Sequence, residues 1–297
     1  MKKISLMFLC AVLVVCLSGC GTSQPAAQIA ATTLPVYEFT SAICQGTPLT
    51  VTRLVTEEVS CLHDYSLNVR QVKAAEGAEV IVMSGAGLEV FLDDLLLDTD
   101  VIDASQHIEL LCPEQIHTHE HEQEHGHEDH HHDQDPHIWL SPVNAMKMAR
   151  NICDGLTQRY PDYQKIFEEN LAALSEELEK LQRYGEQTLM DLSSRELITF
   201  HDGFSYFADS FQLTILEAVE EESGSEASAK ELIHLIEEIQ EHGVKAIFTE
   251  VSGSTSAASI ISRETGIPCA TLDMAMAGDS YFDAMYHNIN TLKEVLQ

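Results

Sequence analysis

The sequence predicts an α/β protein of two lobes, each a mainly parallel four-stranded sheet flanked by helices, with one long helix joining them. Three observations predict it. Short runs rich in β-branched residues alternate with helical stretches in both halves of the chain. A tract from Cys112 to Asp135 has no apolar period and reads as loop. Beyond it, Phe167, Leu171, Leu174, Leu178 and Leu181 step by four, three, four and three, one apolar stripe sustained over several helical turns.

In the first half, Ile29–Leu34 reads as a strand stopped by Pro35, and Val36–Ile43 as a helix. Leu49–Val55 is a second β-branched run, Leu67–Glu76 is helical, and Glu79–Met83 is a buried strand leaving through Ser84-Gly85-Ala86-Gly87. Leu88–Leu97 is helical again and Asp100–Asp103 is a short strand. Ser141 and Pro142 start a helix as N-cap and first-turn proline, with Val143, Met146, Ala149, Ile152 and Leu156 as its apolar positions. Pro161 opens the long helix; at about 1.5 Å per residue it reaches about 45 Å by Met190. Strands then follow at Glu196–Phe200, Leu213–Val219, Val244–Thr249 and Pro268–Leu272. Helices follow at Phe204–Phe211, Ala229–His242, Ser256–Thr265 and Tyr281–Leu296. No close sequence repeat relates the halves.

The chain has 297 residues, 16 basic and 48 acidic, for a formal charge of −32. Such a chain repels phosphate backbones, which excludes nucleic acid as a partner. Lys2 and Lys3 precede an apolar run, Ile4–Leu17, that is short against the about 20 residues of a membrane span. The run ends in Leu17-Ser18-Gly19-Cys20, which resembles the bacterial lipobox: residues 1–19 form a signal peptide, and Cys20 carries the acyl chains. Residues 20–28 are then a lipidated tether, 29–160 the N-terminal lobe with a His-rich loop at 113–135, 161–191 the linking helix and 192–297 the C-terminal lobe. An acidic body does not bind anionic lipid by itself, so palmitate-type chains supply the anchorage on the extracytoplasmic face of the cell membrane. Cys10 and Cys16 leave with the signal. Cys44, Cys61, Cys112, Cys153 and Cys269 remain in a compartment that permits disulfides; their number is odd, no CxxC spacing occurs, and the pairing is open.

Four stretches carry candidate chemistry: Leu62-His63-Asp64-Tyr65-Ser66, Asp135-Pro136-His137-Ile138-Trp139-Leu140, Thr199-Phe200-His201-Asp202-Gly203-Phe204 and Thr271-Leu272-Asp273. Ligand sites in open α/β sheets form at the carboxyl ends of strands, where His63, His201 and Asp273 are expected; His137 adjoins the loop between the lobes. Three imidazoles and one carboxylate make a four-coordinate site suited to Zn2+. The imidazoles bind in the neutral form, so uptake is expected to weaken as pH falls through about 6.5.

The stretches LHDYSL at 62–67, GAGLEVFL at 85–92, DPHIWLSP at 135–142, FHDGFSYFA at 200–208 and LDMAMAGDSYFDAMYHN at 272–288 together resemble the metal-binding receptors of bacterial zinc and manganese ABC importers. The resemblance covers nearly all the chain after the signal and preserves order. It implies two α/β lobes bridged by a rigid helix, metal in the cleft, and His63, His137, His201 and Asp273 as ligands. It also implies a monomeric lipoprotein that hands its ion to a permease driven by an ATPase. Where manganese-preferring members place a glutamate third, this chain has His201, and imidazole suits Zn2+ better than Mn2+. The last motif is short of glycine near Asp273, and Cys61-Leu62 precedes the first histidine.

Of the fifteen histidines, eight lie in the acidic tract: His117, His119, His121, His125, His127, His130, His131 and His132. A tethered tract of this kind binds several ions weakly and raises the metal concentration beside the cleft. His121–His125 and His127–His131 both match HExxH, but a zincin needs that motif on an apolar-faced helix, and this tract has no apolar face. Two alternatives stay open at this point. One is a zinc hydrolase, with His63, His137 and His201 on the ion and Asp273 as base. The other is a manganese receptor or metal-regulated adhesin on the same fold.

Overall fold

The computed structural model describes residues 27–57, 59, 62, 65–93, 95–96, 99–111, 134–220, 228–251, 253 and 255–297. His63, Cys20 and the histidines of the acidic tract lie outside the described residues, as do Cys61 and Cys112. Among the described residues eight strands form two four-stranded sheets in which every adjacent pair is parallel. The N-terminal sheet contains β1 (Ile29–Ala31), β2 (Val51–Arg53), β3 (Val80–Met83) and β4 (Asp100–Asp103), in the order β2-β1-β3-β4. The C-terminal sheet contains β5 (Glu196–His201), β6 (Thr214–Glu220), β7 (Ile247–Glu250) and β8 (Cys269–Leu272), in the order β6-β5-β7-β8. The two lobes thus share one strand order although their sequences do not visibly repeat.

Helices α1 (Leu34–Ile43) and α2 (Val69–Glu76) belong to the first lobe. Helix α3 (Pro142–Arg159) packs on β4 and α1 of the first lobe, α4 (Gln164–Thr188) touches α1 of the first lobe and α8 of the second, and α5 (Ser205–Ser210), α6 (Ala229–His242), α7 (Ser256–Thr265) and α8 (Tyr281–Leu296) belong to the second. Sequence chemistry sets their ends. Ser141 Oγ accepts from the Asn144 amide with Pro142 in the first turn of α3. Asn68 with Gln71, and Ser228 with Glu231, form reciprocal capping boxes on α2 and α6. Gly243 and Gly266 end α6 and α7 in the left-handed conformation, at φ 65° and 77°. Pro161–Tyr163 form a 3-10 turn, and α4 then runs 25 residues, roughly 37 Å at about 1.5 Å per residue.

Alternate residues of each strand enter different cores, as the two-residue period of a strand requires. Ile29, Ala31, Val80 and Val82 face one side of the first sheet, while Ala30 and Ile81 face the other. In the second sheet Leu197, Ala246 and Phe248 face inward, and Ile198, Phe200 and Ile247 pack outward against Leu235 and Ile239 of α6 and Ala258 and Ile261 of α7. The inward sides meet. One continuous apolar cluster takes in Phe39 of α1, Trp139, Ile152 of α3, the stripe Phe167–Leu171–Leu174–Leu178–Leu181 of α4, Phe207 of α5, and Tyr281 and Ile289 of α8. The sheets are therefore two layers on a common interior.

Gly185 of α4 shows how closely the pieces fit: a Cβ there would run into the Phe211 ring. Beside it, the Arg195 guanidinium donates to the carbonyls of Phe211 and Gln212 through Nη1, at 3.0 and 3.3 Å, and to those of Leu189 and Met190 through Nη2, at 2.9 and 3.0 Å. One cation thus closes the carboxyl ends of α4 and α5, where helix dipoles leave partial negative charge.

The described residues of the range 88–97 depart from the expected helix. They hold a 3-10 turn at Val90–Leu92, with further turns around it. The cause lies in Glu89, which turns inward instead of lining a helix face. Its Oε1 accepts from Thr32 Oγ1 at 2.6 Å and from the Ser84 amide at 2.7 Å, and its Oε2 from the Gly85 amide at 3.0 Å. The carboxylate ties the ends of β1 and β3 together. Gly85 is required here, since its φ is 81° and a Cβ would run into Asp103 Oδ1 and Ser105 Oγ.

Burial pushes the Glu89 carboxyl up from 4.5 to about 7, against the lowering effect of Thr32, Ser84 and Gly85. A carboxyl with a raised native pKa holds its proton more tightly when folded. Its contribution to stability is greatest below about 4.5 and is lost as pH rises through about 7. The shift corresponds to about 3 kcal/mol at most. Thermal denaturation of metal-free protein from pH 5 to pH 8 should show wild type losing stability, relative to Glu89→Gln, as pH rises; parallel profiles would refute the assignment.

Candidate metal site

β5 lies inside its sheet, between β6 and β7, so its carboxyl end is the point from which crossovers leave to either side, the usual ligand crevice of such sheets. His201 is the last residue of β5, Glu250 the last of β7, and Asp273 follows the last residue of β8. The register pairs Thr199 with Phe248 and Glu250 with Leu272, so the three strand ends are level, at about 4.8 Å from strand to strand. His201 Nδ1 lies 3.2 Å from Glu250 Oε1, and both side chains are buried. Gly203 allows this packing: a Cβ there would stand 2.7 Å from His201 Cδ2 and 2.7 Å from Met274 Cε.

His137 arrives from the other lobe, on the loop before α3. Asp135 anchors that loop, its amide donating to the Leu111 carbonyl at 2.9 Å. Tyr206 of α5 holds both ends of the gap: Oη accepts from the Leu111 amide and donates to the Asp135 carbonyl, each at 2.9 Å. Asp135 Oδ1 accepts from the His137 amide at 2.9 Å and from His137 Nδ1 at 2.8 Å. The His137 and His201 rings stand edge to face, with centroids 5.2 Å apart. His137 is 1% exposed, and among the described residues its Nε2 has no hydrogen-bond partner.

The arrangement has a defined chemistry. Asp135 at His137 Nδ1 keeps the imidazole proton on that nitrogen and leaves the Nε2 lone pair for a metal. The first carboxylate, Asp135, belongs to the DPHIWLSP stretch. Sequence reading gave it no role and overlooked Glu250 altogether; the available signal was an acid closing an apolar strand, Ile247-Phe248-Thr249-Glu250.

Asp273 is half-buried and oriented from both sides. Its Oδ1 accepts from the Ala275 amide at 2.7 Å, and its own amide and carbonyl both bond the Asn288 side chain at 2.7 Å. Asp273 does not close to a 4.8 Å group with His137 and His201. Among the described residues that spacing is met by Cys153, Asp154 and Glu168. There Arg150 Nη1 pairs with Asp154 at 3.8 Å and Glu168 at 3.1 Å, and burial raises the Cys153 thiol to about 11, so the cluster is an ion-pair network.

Two parallel-sheet lobes on one interior, with imidazoles from both meeting at the strand ends, define a two-lobed metal receptor. The chain belongs to the family described as zinc-uptake complex component A, periplasmic (ZnuA), whose model matches residues 29–295. This is a family of zinc-type receptors of ABC importers and not of enzymes, which removes the hydrolase alternative. The chain is 30% identical over 312 residues to the zinc-binding lipoprotein AdcA of Streptococcus pneumoniae, covering 99% of this chain and 61% of that protein. It thus spans about three fifths of that relative. A crystal structure of ZnuA superposes with a TM-score of 0.76 at 27% identity, covering 91% of this chain and 100% of that one. The Zn(II)-bound ZnuA-like domain of Streptococcus pneumoniae AdcA gives 0.74 at 27% identity, covering 91% and 98%.

Gly203→Ala should displace His201 or Met274 and destabilise the protein by about 1–3 kcal/mol, the usual cost of overpacking. Denaturant unfolding measures it, and an unchanged midpoint would show that the close approach is not real.

Proposed function

We propose that the protein captures Zn2+ at His63, His137, His201 and Asp273 and delivers it to an ABC permease driven by a cytoplasmic ATPase. The observation that carries this reading is the buried imidazole pair: His137 is hydrogen-bonded to Asp135 through Nδ1, with an Nε2 that has no hydrogen-bond partner among the described residues, and His201 Nδ1 lies 3.2 Å from Glu250. A buried polar atom without a partner is costly, and a cation bound there removes the cost. Three imidazoles and one carboxylate fit zinc in number and kind. Receptors of this type work outside the cytoplasm, and Cys20 would supply the acyl anchor of a monomer. The work is capture and release, with no bond made or broken.

The acidic tract acts as a collector. Its flanks, Leu111 and Asp135, are bonded to each other and to Tyr206, two residues from His137. His117, His119, His121, His125, His127, His130, His131 and His132 are thereby tethered beside the cleft, where weak binding raises the local ion concentration.

Isothermal titration of the chain from Cys20 onward should show one tight zinc site plus weaker binding. Deleting residues 117–132 should remove the weak phase alone; loss of the tight phase would make the tract the receptor. Glu250→Ala should weaken the tight site by about 10- to 100-fold, as outer carboxylates on metal-bound histidines do. An unchanged Kd would leave Glu250 a structural group only.

A further inference from the structure

The chain after Asp273 belongs by order to the C-terminal lobe, yet its bonds run to the other lobe. Trp139 Nε1 donates to the Met274 carbonyl at 2.7 Å, and the Leu34 amide to the Met276 carbonyl at 3.1 Å. Arg53 Nη1 donates to the Gly278 carbonyl at 2.7 Å. The Tyr281 amide donates to Glu38 Oε2, and Tyr281 Oη donates to the Trp139 carbonyl at 2.8 Å. Met274, Ala275, Met276 and Tyr281 are all buried, and the Tyr281 ring stands edge-on to Phe39 at 5.1 Å.

Within this segment Ala275 holds φ 53°, a left-handed conformation unusual for a residue with a Cβ. Such a residue persists where its surroundings over-determine it. Its amide is the donor to Asp273 Oδ1, so the strained residue is also the one that aims the carboxylate.

We propose that residues 274–281 form a strap that locks Asp273 to the N-terminal lobe, and that Trp139 and Arg53 are positioning residues for that carboxylate. The inference rests on the reading of Asp273 as a zinc ligand. It follows that Asp273 keeps its place relative to His137 when the ion leaves. Trp139 then serves two ligands: it lies against the His137 ring, centroids 5.4 Å apart, and through Met274 it fixes the segment that aims Asp273.

A double-mutant cycle tests this, with zinc Kd from chelator competition and dissociation rate from stopped flow on the full chain from Cys20. Asp273→Ala alone should weaken zinc; if it does not, the ligand reading fails, and the strap has no ligand to position. Trp139→Phe should raise Kd and speed release by about tenfold, the scale of outer-sphere effects. Arg53→Gln, a conservative change at the lobe junction, should speed release by about threefold, below the same outer-sphere range because its bond is remote from the carboxylate. Both effects should largely vanish in the Asp273→Ala background, because coupled groups are non-additive. Full persistence of the Trp139→Phe effect there would mean that it acts through His137, and would overturn the strap while leaving Asp273 a ligand. Wild-type release from Arg53→Gln would overturn it too, and this variant decides the matter if Trp139→Phe does not fold.

Discussion

Everything in the molecule depends on a single apolar interior shared by two sheets. The inward faces of both lobes, the stripe of α4 and the buried faces of α1, α3 and α8 are one cluster. Trp139 and Tyr281, among the largest buried side chains, lie where the lobes join. Parting the lobes widely would return these side chains to water at about 1.5–3 kcal/mol each. The lobes therefore cannot act as a free hinge.

The same constraint explains why polar chemistry gathers where it does. The interior tolerates a carboxylate only with donors around it, as Glu89 has in Thr32, Ser84 and Gly85. It tolerates a histidine only with its proton accounted for, as His137 has in Asp135. At the strand ends backbone donors and acceptors are free to meet such groups, so buried ionisable residues collect at the rim of each sheet. The chain has few cations, and Arg195 shows one used economically, joining two helix ends through four carbonyls.

Much of this was legible in the sequence. The eight strands, the ends of α6, α7 and α8, and the positions of His201 and Asp273 at strand ends follow from β-branched runs, capping residues and the four-three spacing of leucines. What could not be read is tertiary. The pairing of Glu250 with His201 comes from strands that are neighbours in space and 49 residues apart in the chain. The turn at Val90–Leu92 follows from Glu89 facing inward, which composition does not reveal. The bend at Ala275 carries no glycine to announce it. The common strand order of the lobes was also hidden, because burial can be satisfied by many sequences while topology cannot.

That common order makes β4 and β8 counterparts, each the last strand of its lobe. β4 closes on Asp103, whose Oδ1 receives the Ser105 amide two residues on; β8 is followed by Asp273, whose Oδ1 receives the Ala275 amide two residues on. In the first lobe the serine hydroxyl adds a further bond to the same oxygen, and the aspartate shapes a bend. One turn motif thus serves as architecture on one side of the molecule and as a candidate hand for cargo on the other. A scaffold repeated in this way can acquire a metal-facing oxygen by changing what surrounds an existing aspartate, with no new backbone.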